Sequence, residues 1–230
     1  MRVTCQMLFW RLQCSGMNVS PSLSATPPKK FQFVGRALCL DFCNSVGGNR
    51  ETVARENLHS YADFLSWSRQ AGLVGAAAAE ARLRNAQRRP VAAAAVLRRA
   101  IALREAIYRI FLAGARKRRP KESDLEELNA ELARCLPRLR IAASKHGFGW
   151  EWRRENGALD DALGPIARSA ADLLVSGESL EKVRQCRSNN CGWLFLDSSR
   201  NHSRCWCDMR DCGNRAKVRR HRQKHLRANK

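Results

Sequence analysis

Five of the ten cysteines in this 230-residue chain fall between Cys186 and Cys212. That crowding constrains the fold more than any other feature. In a small secreted domain it would mean disulfides, whereas in a longer chain without an export signal it points to a metal. The spacing is Cys186-x4-Cys191, then fifteen residues, then Cys207-x4-Cys212. Four thiolates in two pairs make a closed tetrahedral Zn²⁺ site, with no position left for water, so the ion is structural and not hydrolytic. Gly192 and Gly213 each follow a cysteine, and Trp193-Leu194-Phe195-Leu196 reads as an apolar strand able to cover the metal. Cys205 is a fifth candidate, and the symmetric gaps favour Cys207 over it. A competing set is Cys207, Cys212, His221 and His225, since His221-x3-His225 is a plausible helical pair. It leaves eight residues between Cys212 and His221, short of the roughly twelve of a C₂H₂ finger, and strands Cys186 and Cys191.

Charge is the second constraint. The chain carries 42 Lys and Arg against 21 Asp and Glu, net +21. Residues 181–230 hold 14 basic and 4 acidic side chains, and from Cys212 to Lys230 there are eight Lys/Arg and no acid. Such a surface favours a polyanion, either nucleic acid or an anionic membrane. No apolar run approaches the length of a membrane-spanning helix, and no membrane partner is expected. Arg215, Arg219 and Arg222 would share one helical face, with Arg220, Lys224 and Arg227 on a neighbouring one. Val218 and Leu226 are too few apolar residues to bury this helix in a core. Zinc would fix its root, and these side chains, with Arg200, Arg204, Asn214 and Lys217, are the candidate DNA contacts. Asn214 or Arg215 could reach a base edge, while the others would position the protein on phosphate.

The remainder reads as a leader and one domain. Residues 1–30 carry no usable signal peptide, because Gln6, Arg11 and Gln13 interrupt any apolar core. They end in the Ser/Pro-rich linker SPSLSATPPKK, and Met17 is an alternative start. A disordered leader and a cytoplasmic chain are expected. Residues 31–180 read as a mainly helical α+β domain with a small sheet. Phe31–Phe42 alternates like one or two strands, broken at Gly47-Gly48-Asn49. Capping boxes at Ser60/Asp63 and Ser123/Glu126 open two helices. Between them lie an Ala/Arg-rich helix over 76–89 and a helix opened by Pro90, with an apolar stripe through Val96, Ala100, Ile107 and Phe111. Leu139–Ala143 and Phe148–Trp152 suggest a hairpin, and a last helix opened by Pro165 ends at Gly177. Asp41 and Asn44 could cap a turn or helix, or line a small-molecule pocket. The chain has no P-loop, H-E-x-x-H, G-x-S-x-G or G-x-G-x-x-G, His59 and His146 are isolated, and no enzyme is expected.

The segment 191–201 (CGWLFLDSSRN), Trp206-Cys207, Cys212-Gly-Asn-Arg215 and Lys217 resembles the CGNR zinc finger, which closes bacterial proteins that begin with an ABATE domain. Leu40-Asp41-Phe42-Cys43-Asn44-Ser45 is similar to that domain's L-D-F-x-N-[ST] motif. The resemblance implies one structural zinc held by Cys186, Cys191, Cys207 and Cys212, in a treble-clef-like finger over 181–230 with a basic C-terminal helix. The family usually has a basic residue where Cys205 stands, which argues against Cys205 as a ligand. The implied role is DNA-binding transcriptional regulation; on the leading reading, residues 31–180 sense a small-molecule effector or form a homodimer. An RNA- or ribosome-associated protein, or an enzyme with an accessory finger, are the alternatives. On the two-domain reading, Cys207→Ser should unfold 181–230 and spare the N-terminal helices.

Overall fold

Two observations position the candidate site: a short helix sits in the middle of the core, and the cysteine-rich segment is packed onto it. The computed structural model describes residues 29–144, 147–153, 155, 158–177 and 180–228. Residues 1–28 of the expected leader, with Cys5 and Cys14, and His146 lie outside them.

Residues 38–42, expected as strand, form helix α1, Leu38–Cys43. The Asp41 amide donates to the Ala37 carbonyl and that of Asn44 to Leu40, which closes the turn. The period-2 reading fails because Cys39, Leu40, Asp41, Phe42 and Cys43 are all buried. A segment enclosed on every side has no polar face from which a helical period could be read. α1 packs against the later helices α4 (Pro90–Ala115) and α6 (Leu163–Val175) and the strand β6 (Leu194–Leu196). Gly47-Gly48-Asn49, expected as a break, is strand β1, Gly47–Asn49, paired antiparallel with β2, Val53–Arg55. Gly48 is obligatory there: its φ is +79°, and a Cβ would lie 2.1 Å from the Val53 carbonyl oxygen.

Helix α2, Tyr61–Gln70, opens on the expected capping box: Asp63 N–H donates to Ser60 Oγ, and Ser60 N–H to the Asp63 carboxylate. Gly72, at φ +77°, ends it, with Leu73 N–H returning to the Ser68 carbonyl. α3 (Ala76–Arg88) and α4 (Pro90–Ala115) follow, with Pro90 at the start of α4 as its fixed φ favours. α5, Glu122–Cys135, starts after Lys121, so the expected box at Ser123/Glu126 does not form and Ser123 lies inside the first turn. Glu122 and Asp124 in that turn complement the helix dipole instead, and Asp124 pairs with Arg109 at 2.6 Å.

The hairpin β3 (Leu139–Ser144) and β4 (Gly147–Trp152) places Leu139/Trp152, Ile141/Trp150 and Ala143/Phe148 opposite one another on one face. Its inner end rests on α6, Leu163–Val175, where the Trp152 ring occupies the space a Cβ on Gly164 would need. Its outer end leaves Phe148 and Trp150 exposed. β5 (Val183–Gln185) pairs with β6 (Leu194–Leu196). A π-helical turn, Met209–Gly213, then leads into α7, Asn214–Ala228.

The large core is centred on Phe42, whose ring centroid is 4.8 Å from Trp67 and 5.9 Å from Phe64, with Leu103, Ile107, Phe111 and Leu163 around it. Val183 and Leu194 belong to this core, while Phe195 joins Cys186, Cys191, Cys207 and Cys212 in a second cluster. One strand therefore serves both, because successive side chains of β6 point to opposite faces.

Candidate metal centre and its basic helix

The four sulfurs expected as ligands come together. Sγ atoms of Cys186, Cys191, Cys207 and Cys212 all lie within 4.8 Å of one another, and all four residues are buried. Cys191 Sγ is 3.7 Å from that of Cys207, which is 3.6 Å from that of Cys212. A tetrahedral zinc with bonds of about 2.3 Å requires sulfurs about 3.8 Å apart, so the cage fits the ion with little adjustment. Cys205 stays outside, its thiol half-buried and directed to the Ser203 carbonyl. The Cys₂His₂ set is not assembled: among the described residues no histidine joins the cluster. His221 and His225 are an exposed pair along α7, their Nε2 atoms 3.2 Å apart.

Each ligand is held by its element. Cys186 follows β5 and its amide donates to the Trp193 carbonyl, and the Cys191 amide donates to Ser188. Cys212 sits in the π-turn just ahead of α7, where the N-terminal end of a helix favours a thiolate. Hydrogen bonds from the other three thiols, joined by one from the Arg215 guanidinium at 3.2 Å, hold its sulfur well below the usual thiol range. Burial instead pushes the core thiols Cys39, to about 12, and Cys43 upward, so both are inert packing residues.

Two candidate DNA contacts have roles inside the knuckle. The Arg204 guanidinium donates to the carbonyls of Trp206 and Cys207 and lies 4.6 Å over the Phe195 ring, so it braces the ligand loop. Arg215 pairs with Asp211 at 3.0 Å as well as with the Cys212 sulfur, which offsets the cost of a cation in the first turn of a helix. Asn214, Lys217, Arg219, Arg220, Arg222 and Arg200 are exposed. The side chains of Lys224 and Arg227 lie outside those described.

Sequence reasoning missed Asp197. Fully buried, it accepts from the Ser199 amide and hydroxyl and from the Arg204 amide. These bonds outweigh its burial and hold its carboxyl below the usual range. The signal was present: Asp-Ser-Ser is a turn-forming sequence whose first side chain caps backbone amides.

Asn44 ties the large domain to the finger, whereas Asp41 holds the segment that precedes α1. Asn44 Nδ2 donates to the Leu194 carbonyl at 2.9 Å and its Oδ1 accepts the Leu194 amide at 3.0 Å, as a neighbouring strand would. Asp41 Oδ1 accepts the Gly35 amide at 2.7 Å; burial raises its carboxyl to about 6 against the bonds from Gly35 and Val34. Trp193 Nε1 donates to the Val46 carbonyl and Tyr108 Oη to that of Gly192. Val183 and Leu194, from the finger's two strands, are thus part of the large core.

An α+β domain fused to a four-sulfur centre defines a zinc-finger protein with one structural zinc. The sequence model of the ABATE family, described as "Putative stress-induced transcription regulator", matches residues 36–177, and that of the CGNR zinc finger matches 182–225. The chain belongs to the ABATE family and carries a CGNR zinc finger. No curated protein matches it. Among the described residues no helix is long and apolar enough to cross a membrane.

Proposed function

We propose that the protein is a transcription regulator that binds duplex DNA through α7, in the cytoplasm, without catalytic activity of its own. One observation carries this reading: Lys217, Arg219, Arg220 and Arg222 are exposed on a helix rooted in the zinc knuckle, and none makes an ion pair among the described residues. Unpaired, exposed cations on a helix that starts at the metal centre suit contact with a phosphate backbone. The family description supports the regulatory role. The large domain is assigned sensing or self-association.

The test is a titration of zinc-loaded protein with duplex DNA and with structured RNA over a range of salt. With about five phosphates neutralised, log affinity for duplex should fall against log salt with a slope of roughly −4 to −5. Arg219→Ala should weaken binding modestly and by the same factor on every sequence. A slope near zero, or a marked preference for RNA, overturns the reading.

A further inference from the structure

The finger and the β1–β2 hairpin enclose a cleft of about 250 Å³. Its walls include Lys30, Arg55 and Asn57 on one side and Asn190, Trp193 and Arg215 on the other. A second hollow, about 370 Å³, opens from it and shares Gly48, Arg55, Asn190 and Arg215. The backbone is closed around the cleft: the Gly192 amide donates to the Gly48 carbonyl, and Asn49 Nδ2 to that of Asn189.

Its charges are asymmetric. On the finger side, Asp211 and the thiolates of the zinc centre are faced by Arg215, which bonds to both Asp211 and Cys212. On the hairpin side, the side chains of Arg55 and Lys30 make no hydrogen bond or ion pair among the described residues. Gly47, paired with Arg55 in the β1–β2 register, provides a flat wall: a Cβ there would lie 3.6 Å from Arg55 Nε and Nη2 and 3.5 Å from Asn57 Nδ2. The guanidinium thus lies beside bare backbone at the cleft, with its donors unengaged. Two cations without an ion-pair partner, the Asn190 amide and the flat surface of Trp193 suit a compact anion better than a neutral or cationic molecule.

We propose that this cleft binds a small anion, a phosphate- or carboxylate-bearing molecule of few heavy atoms, at the seam between the large domain and the finger. Arg55 and Lys30 pair with its charge. Because Arg215 forms the opposite wall and stands in the first turn of α7, occupancy is sensed at the root of the basic helix. This regulatory consequence rests on the DNA-binding reading; the anion site does not.

The experiment uses the full zinc-loaded chain, titrated calorimetrically with inorganic phosphate, pyrophosphate and citrate at constant ionic strength. Saturable binding of at least one probe is expected, weakened about tenfold or more in both Arg55→Gln and Lys30→Gln, as loss of a charge-assisted contact requires. Both side chains lie at the surface without internal partners, so thermal melts of the variants should overlay the wild type. Absence of saturable binding by all three probes overturns the proposal, as does unchanged affinity in both variants. The duplex titration separates the other source of phosphate: if Arg55→Gln weakens DNA binding with no probe present, the cleft is a backbone contact and the proposal falls. A chain that binds a probe but no duplex leaves the cleft standing and refutes the DNA-binding reading instead.

Discussion

Replacing Asn44 by alanine tests whether the finger and the large domain are one structure. The side chain is buried and makes two bonds to Leu194, of 2.9 and 3.0 Å. Its removal leaves an amide and a carbonyl in the interior without partners, at about 1–3 kcal/mol each. The sum, about 2–6 kcal/mol, is a large part of the roughly 5–15 kcal/mol by which domains are stable. For a chain of this size, at about 2–4 °C per kcal/mol, it lowers Tm by roughly 4–24 °C. The assay is denaturant and thermal unfolding of zinc-loaded wild type and Asn44→Ala. Asn44→Asp is the informative companion. At neutral pH its carboxylate still accepts the Leu194 amide but faces the Leu194 carbonyl with no proton to donate. As pH falls and the carboxyl protonates, the donor returns and the deficit should shrink. A loss below about 0.5 kcal/mol in Asn44→Ala, in the range of ordinary surface changes, would refute the argument.

Cys207→Ser should abolish the one zinc per chain seen by metal analysis. Because a site of this kind folds with its ion, hydrogen exchange should then show protection lost across 197–228 but kept at Val183 and Leu194, which the large core holds. Loss throughout 181–228 would show a finger that folds alone. Glu56 supplies a pH signature: burial raises its carboxyl, but the bonds from Arg104 outweigh it and bring it down to about 2. Its folded value lies below its unfolded one, so its contribution is complete above about pH 4.5 and is lost as pH falls toward 2. Glu56→Gln should flatten the acid limb of a stability–pH curve between those values, and an unchanged limb would show that the pair with the buried Arg104 contributes nothing.

Much of the site was legible because its rules are local. Metal chemistry sets which cysteine pairs can share an ion, and the x4 gaps around Cys186 and Cys207 carried that information without any fold. The Ser60 capping box and Pro90 were equally readable, since each acts within a turn of its own position. Legibility failed where partners came from afar. α1 was mistaken for strand because contacts with α4, α6 and β6 bury it all round and erase its period. Arg204 looked like its neighbours in a basic stretch until the Cys207 carbonyl and the Phe195 ring lay beside it. Nothing local marks Asn44 as the partner of Leu194, 150 residues away. Spacing and charge along the chain thus determined the zinc ligands and the cationic helix, because sulfur geometry and like-charge density are properties of short segments. Whether that helix stands on an independent module or on the large domain was decided only in three dimensions, where a buried amide must find its partner wherever the chain brings one.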